Sequence, residues 1–259
     1  QAATGSLSGS TIGIYAGNTG MGATSVTTAG TISETGTGGY GVYAINGTPS
    51  LGAGTGLTVT QAATGSISGG AYGIFASNRG TGATTVTTAG AIAGTTSGID
   101  VYSGKATTDV TVTQSAGSIT GGSNGIFAQN WGSGDLTIDQ TAGSITGSSF
   151  GIYAGSYGTG ATAIAAAGTV KGTNTYGIKA YNASTATNLT LDQTAGSISG
   201  GTYGIIAQNN GTGATSITTT GTVTGTSSDG INATNASTAG NLTVAQSAGS
   251  ISGGTNGIW

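Results

Sequence analysis

The 259-residue chain has no Cys, no His and one Pro, and it carries only 11 charged side chains, four basic and seven acidic. Without Cys, no disulfide framework braces the fold. Arg79, Lys105, Lys171 and Lys179 are the only basic residues, too few and too scattered to neutralise a phosphate backbone, which excludes nucleic acid as a partner. No apolar run approaches the roughly 18 residues that would cross a bilayer, and no signal peptide is recognisable, so direct membrane insertion of this region is not expected. Nor does any stretch show the 3.6-residue apolar stripe of a helix.

Repetition fills the place of these missing features. A first aliphatic series runs Leu7, Ile32, Ile67, Ile92, Ile119, Ile145, Val170, Ile198, Val223 and Ile251, with gaps of 25, 35, 25, 27, 26, 25, 28, 25 and 28. A second series keeps step at Ile14, Val42, Ile74, Ile99, Ile126, Ile152, Ile178, Ile205, Ile231 and Ile258. The third is expected at Val26, Leu57, Val86, Val110, Leu136, Ile164, Leu189, Ile217 and Leu242. Around each aliphatic the neighbours are Ser, Thr, Gly or Ala, so the local period is two and one face of a strand is buried. Low charge and 54 Gly also suit a disordered chain, but periodic aliphatics argue for a packed interior.

Three short strands and Gly-rich corners per unit of about 26 residues predict an all-β fold, a three-sided parallel β-helix of 9–10 coils about 45 Å long by strand spacing. Residues 1–259 would form one array, a piece of a longer repetitive protein, with an irregular coil at 33–56 that holds the only Pro and the only Glu. Short and long coils alternate. Gln61 to Gln114, Gln140 to Gln193 and Gln193 to Gln246 are each 53 residues apart, whereas Gln114 to Gln140 is 26, as recombination between repeats would leave behind.

Four groups of residues are candidates for function or for special structural roles. Asn18, Asn46, Asn78, Asn130, Asn182, Asn209 and Asn235 recur four residues after the second-series aliphatic. They predict a stacked corner ladder, with Asn in the left-handed backbone conformation. Among the acids, only Asp109 and Asp135 share a phase in adjacent coils; such a pair either binds a cation such as Ca²⁺ or splays apart in solvent. No cofactor is expected, and the scattered acids and bases offer no cluster for acid/base catalysis. The outward position after the second aliphatic reads Tyr15, Tyr43, Phe75, Asp100, Phe127, Tyr153, Lys179, Ile206, Asn232 and Trp259, an aromatic strip that suits sugar rings, another fibre or a host surface, or simply covers the sheet.

The fourth group is a grid of hydroxyls flanking the first series: Ser6 and Ser8, Thr31 and Ser33, Ser66 and Ser68, Ser118 and Thr120, Ser144 and Thr146. Ala91, Ala93 and Lys171 interrupt it. The grid is similar to the arrays of β-solenoid ice-binding proteins.

Phrases such as Gly196-Ser197-Ile198-Ser199-Gly200-Gly201 and Tyr203-Gly204-Ile205 resemble the repetitive passenger region of bacterial autotransporter (type V secreted) adhesins along the whole chain. That resemblance implies a right-handed β-helical stalk exported to the bacterial cell surface, with roles in adhesion, aggregation or biofilm, and it carries over no catalytic residue. The expectation is therefore an extracellular, non-enzymatic rod that contacts a glycan, a host or neighbouring cell, or another copy of itself. A self-assembling filament subunit and an ice-binding solenoid are the alternatives.

Overall fold

The computed structural model describes residues 5–47 and 54–259; residues 48–53 of the irregular coil, Pro49 among them, lie outside these. Every regular element among the described residues is a strand of four to seven residues, 28 in all. Three parallel sheets result. The first has ten strands, from Ser6–Gly9 to Ser250–Gly253; the second has nine, from Ile12–Asn18 to Ile231–Asn235; the third has nine, from Thr24–Thr28 to Leu242–Gln246. Consecutive strands of the chain fall in different sheets, and each strand pairs with its equivalent one coil on. The chain is thus a three-sided parallel β-helix of about nine coils with roughly 26 residues per turn.

Alternation of small polar and aliphatic residues builds the interior. Ile67, Ile92, Ile119 and Ile145 pair in register, as do Ile74, Ile99, Ile126 and Ile152. All eight are essentially inaccessible to solvent. In-register pairing piles like on like, so the core is a set of columns along the axis, and each coil shields the apolar edge of the next. Gly125 shows how tightly the columns fit: a Cβ there would lie 2.5 Å from Ile145 Cγ2 and 2.6 Å from the Gly151 carbonyl oxygen.

The third series needs correction. Val26 pairs with Val59, Val86 with Val112, Ile138 with Ile164 and Leu191 with Ile217. Leu57, Val110, Leu136, Leu189 and Leu242 stand two residues earlier, in a column shared with Thr24, Thr84, Thr162 and Thr215. Long coils begin this strand with an aliphatic residue where short coils place a buried Thr, so the first aliphatic is not the equivalent position. Those Thr hydroxyls stay inside because they are bonded: Thr162 Oγ1 donates to Asn182 Oδ1 at 2.6 Å, and Thr215 Oγ1 to Asn235 Oδ1 at 2.6 Å.

Counted from the true column, regular long coils exceed short ones by one residue on the way to the next first strand, seven against six. The longer corner turns through Gly117, Gly143, Gly196 or Gly249, each with φ between 70° and 87°, a region that Gly enters without steric cost.

Candidate functional site on the aromatic face

The Asn residues line one corner in phase, but their chemistry differs from the expected ladder. No residue other than Gly has positive φ among the described residues, so the Asn backbone is not left-handed. Amide-to-amide stacking joins Asn18, Asn46 and Asn78 at 3.1 and 3.3 Å. Elsewhere each Asn ties its own corner together. Asn130 Nδ2 donates to the carbonyls of Gly134 at 2.7 Å and Thr108 at 3.2 Å, and Asn130 Oδ1 accepts from Gly132 N–H at 2.9 Å. Asn182, Asn209 and Asn235 bond the turn that follows them in the same way. A side chain that returns to its own turn gives the corner carbonyls a donor and the corner N–H groups an acceptor.

A second polar column was not read as structural from the sequence. Gln61, Gln114, Gln140 and Gln193 are buried at the opposite corner, in register with Thr28, Thr88, Ala166 and Thr219 of short coils. Gln140 Nε2 donates to Gln114 Oε1 at 3.1 Å and to the carbonyls of Gly143 and Thr169 at 3.3 Å. The signal was present in the 53-residue spacing: Gln marks the long coils because it bonds the turn that only those coils contain.

On the second sheet the expected strip is real, and it is part of something larger. Tyr15, Tyr43 and Phe75 succeed one another in register, with ring centroids 5.5 and 5.3 Å apart. Phe127 stacks on Tyr153 at 4.5 Å. A parallel column three residues earlier holds Tyr40 and Tyr72, 5.2 Å apart, and Phe150, Tyr176 and Tyr203, 5.3 and 5.7 Å apart. A flank carries Trp131, Tyr157 and Tyr181, at 4.4 and 5.5 Å, together with Tyr102 beneath the Arg79 guanidinium. With Trp259, all fifteen aromatic residues of the chain, ten Tyr, three Phe and two Trp, belong to this face or the residue just after its strands.

The rings touch and partly cover one another. Tyr15 in the first coil is 58% exposed, whereas Tyr153 amid its neighbours is 9% exposed. Burial, reinforced by the hydroxyl contact with Tyr157 at 2.5 Å, pushes the Tyr153 phenol above its ordinary range. A shallow depression of about 280 Å³ lies between Tyr43, Phe75, Ser77 and Arg79.

The ring columns are interrupted midway, where Asp100 takes one place in the first column and Ser97 and Asn124 take two in the second; beyond Tyr153 the first column goes on without rings, through Lys179, Ile206 and Asn232. Two aromatic patches result. Asp100 lies in register between Phe75 and Phe127. Its carboxyl has no hydrogen-bond or ion-pair partner among the described residues, and burial raises its pKa to about 6.

Asp109 and Asp135 are exposed in adjacent coils, and each uses one carboxylate oxygen to bond backbone. Asp109 Oδ1 accepts from Asp135 N–H at 2.9 Å, and Asp135 Oδ1 accepts from Ala161 N–H at 2.8 Å. Each carboxylate thus fastens the next coil, a role that Asn188 repeats toward Ala214 N–H. Glu34 likewise accepts from the backbone N–H of Gly36 and Gly70, and Asp229 from the Asn232 and Asn256 amides. No group of three metal-ligating side chains occurs among the described residues.

Hydroxyls occupy the other two faces. On the first sheet the expected grid is in register, from Ser118 with Ser144 to Thr120 with Thr146. The third sheet carries a denser one that the sequence reading missed: Thr58 and Thr60, Thr85 and Thr87, Thr111 and Thr113 lie in successive coils. Its signal was the repeated Thr-x-Thr of the third strand. No protein-family model, no curated protein and no solved structure matches the chain.

Proposed function

We propose that this chain is a rigid extracellular rod of the bacterial cell surface that attaches through repeated weak contacts along its aromatic face. The observation that carries the reading is the confinement of all fifteen aromatic residues to one side of a three-sided solenoid. The core needs none of them, since its columns are aliphatic. Rings rather than charges at the contact suit a sugar, a protein receptor or another fibre, and several shallow sites along one axis gain strength by avidity rather than by one tight pocket.

The test is retention on cells. Beads coated with the whole chain should adhere to bacterial or host-cell layers, and the combined substitution of Tyr15, Tyr43, Phe75 and Phe127 by Ser should reduce retention at least severalfold while melting stays cooperative. Unchanged retention would remove the aromatic face as the contact surface. Concentration-dependent growth of the particle in sedimentation would favour a filament subunit instead. Ice binding has one specific observation on its side, the Thr pairs of the third sheet; thermal hysteresis that is lost in Thr85→Lys would support it.

A further inference from the structure

Of the acidic residues, Glu34, Asp109, Asp135 and Asp229 are spent on fastening the backbone or neighbouring amides. Asp192 accepts from the Thr218 hydroxyl at 2.5 Å. Asp139 stands on the third sheet between Thr113 and Ala165 with no ring beside it. Asp100 alone is half-buried among aromatic rings with none of the described residues bonded to its oxygens.

We infer that Asp100, with Phe75, Phe127, Tyr72 and Asn124 around it, forms a subsite for a neutral saccharide bearing a pair of adjacent hydroxyls. The inference rests on the reading of the aromatic face as the contact surface and names its ligand class. Three features fit that chemistry. Phe75 and Phe127 flank the carboxylate in register, each roughly 4.8 Å away along the axis, so a pyranose stacked through its C–H face on either ring brings its hydroxyl edge to Asp100. A carboxylate is acceptor-only and takes two O–H donors at once, which matches a vicinal diol. Finally, Ser97 and Asn124 interrupt the neighbouring ring column between Tyr72 and Phe150. Those two rings are three coils apart, about 14 Å, which opens a notch one hexose wide.

Asn124 is held in place at the floor of that notch, where its Nδ2 donates to Ser97 Oγ at 3.1 Å. A half-buried carboxylate with no donor among the described residues is unfavourable to keep in a fold, and such a group beside a notch is a candidate site. Bound hydroxyls supply the missing donors. An uncharged diol suits the notch better than an acidic sugar, whose own carboxylate would meet Asp100.

The experiment is titration of the isotope-labelled whole chain with methyl α-glucoside, α-mannoside and α-galactoside and their deoxy analogues, followed by amide NMR. At least one glycoside should shift amides of Ser97–Ser103 and Asn124–Asn130, and removal of one of its diol hydroxyls should weaken it. Asp100→Asn, which keeps the shape, should weaken binding at least about tenfold. Thr120→Ala on the first sheet should not weaken it. Affinity should also fall as pH drops through about 6 and the carboxyl gains a proton. That dependence should vanish in Asp100→Asn: of the other charged or titratable groups nearby, Tyr40, Tyr72, Tyr102 and Arg79, burial pushes the Tyr40 and Tyr72 phenols up, further from that pH.

The subsite is overturned if no glycoside shifts these amides, or if Asp100→Asn binds as the parent does. Loss of cell retention in the four-ring variant without any glycoside binding would keep the adhesive face and remove this subsite. Retention by that variant would remove the face as the general contact surface, and the amide titration would still decide the subsite.

Discussion

The outer surfaces of the first and second sheets share one backbone, one core and one coil spacing, yet one is a field of hydroxyls and the other a field of rings. Ser118, Ser144 and Thr169 succeed one another on the first sheet as Phe150, Tyr176 and Tyr203 do on the second. Stacking therefore constrains what points inward and leaves the outward positions open. A residue type that collects on one outward face is not there to close the coil.

A series of substitutions tests that division, beginning with the largest effect. Ile126 is fully buried beneath both faces, so Ile126→Ala should cost about 2–5 kcal/mol and be visible in chemical denaturation whichever face is probed. At the corner between faces, Asn130→Ala orphans Gly132 N–H and two carbonyls. It should cost about 2–3 kcal/mol, whereas Asn18→Ala in the half-buried first coil should cost under about 1.

Outward changes should be smaller and should differ between the faces. Tyr176→Ala removes ring contacts with Phe150 and Tyr203 for about 1 kcal/mol, while Thr120→Ala should stay within about 0.5 kcal/mol. Equal losses at the two positions would break the comparison.

One outward change should be a gain. Asp100 titrates at about 6 in the fold against an ordinary 3.8, so the folded chain holds a proton more tightly than the unfolded one. Its contribution is unfavourable above pH 6, shrinks as pH falls and is gone below about 3.8. Asp100→Asn should stabilise the chain at pH 7 by roughly 1 kcal/mol after allowance for partial exposure, and not at pH 3.5. Thermal melts at the two pH values check this.

Much of the fold was legible because its columns are chemically uniform. The first two aliphatic series hold in register from Leu7 to Ile251 and from Ile14 to Ile231. The third misled because Leu57 and Leu136 share a column with Thr84 and Thr162, and a period-two pattern reads the same when shifted by two residues. The Asn positions were visible but not their bonds, since which carbonyl an amide reaches depends on the turn beyond it. In the candidate site, the strip through Tyr43 and Phe127 was legible. The column through Tyr40 and Tyr176 was not, because two consecutive residues, Gly41 and Val42 or Gly177 and Ile178, are both buried between the two columns, and strict alternation does not anticipate that.

Parallel pairing of each coil with its own equivalent makes any outward group portable. Copying a pair of coils displaces whatever it carries by about 9.6 Å along the axis and leaves its surroundings unchanged. Valency in such a molecule is a matter of copy number: duplication within the gene multiplies a weak contact at fixed pitch, and loss of a unit subtracts one without disturbing the remainder.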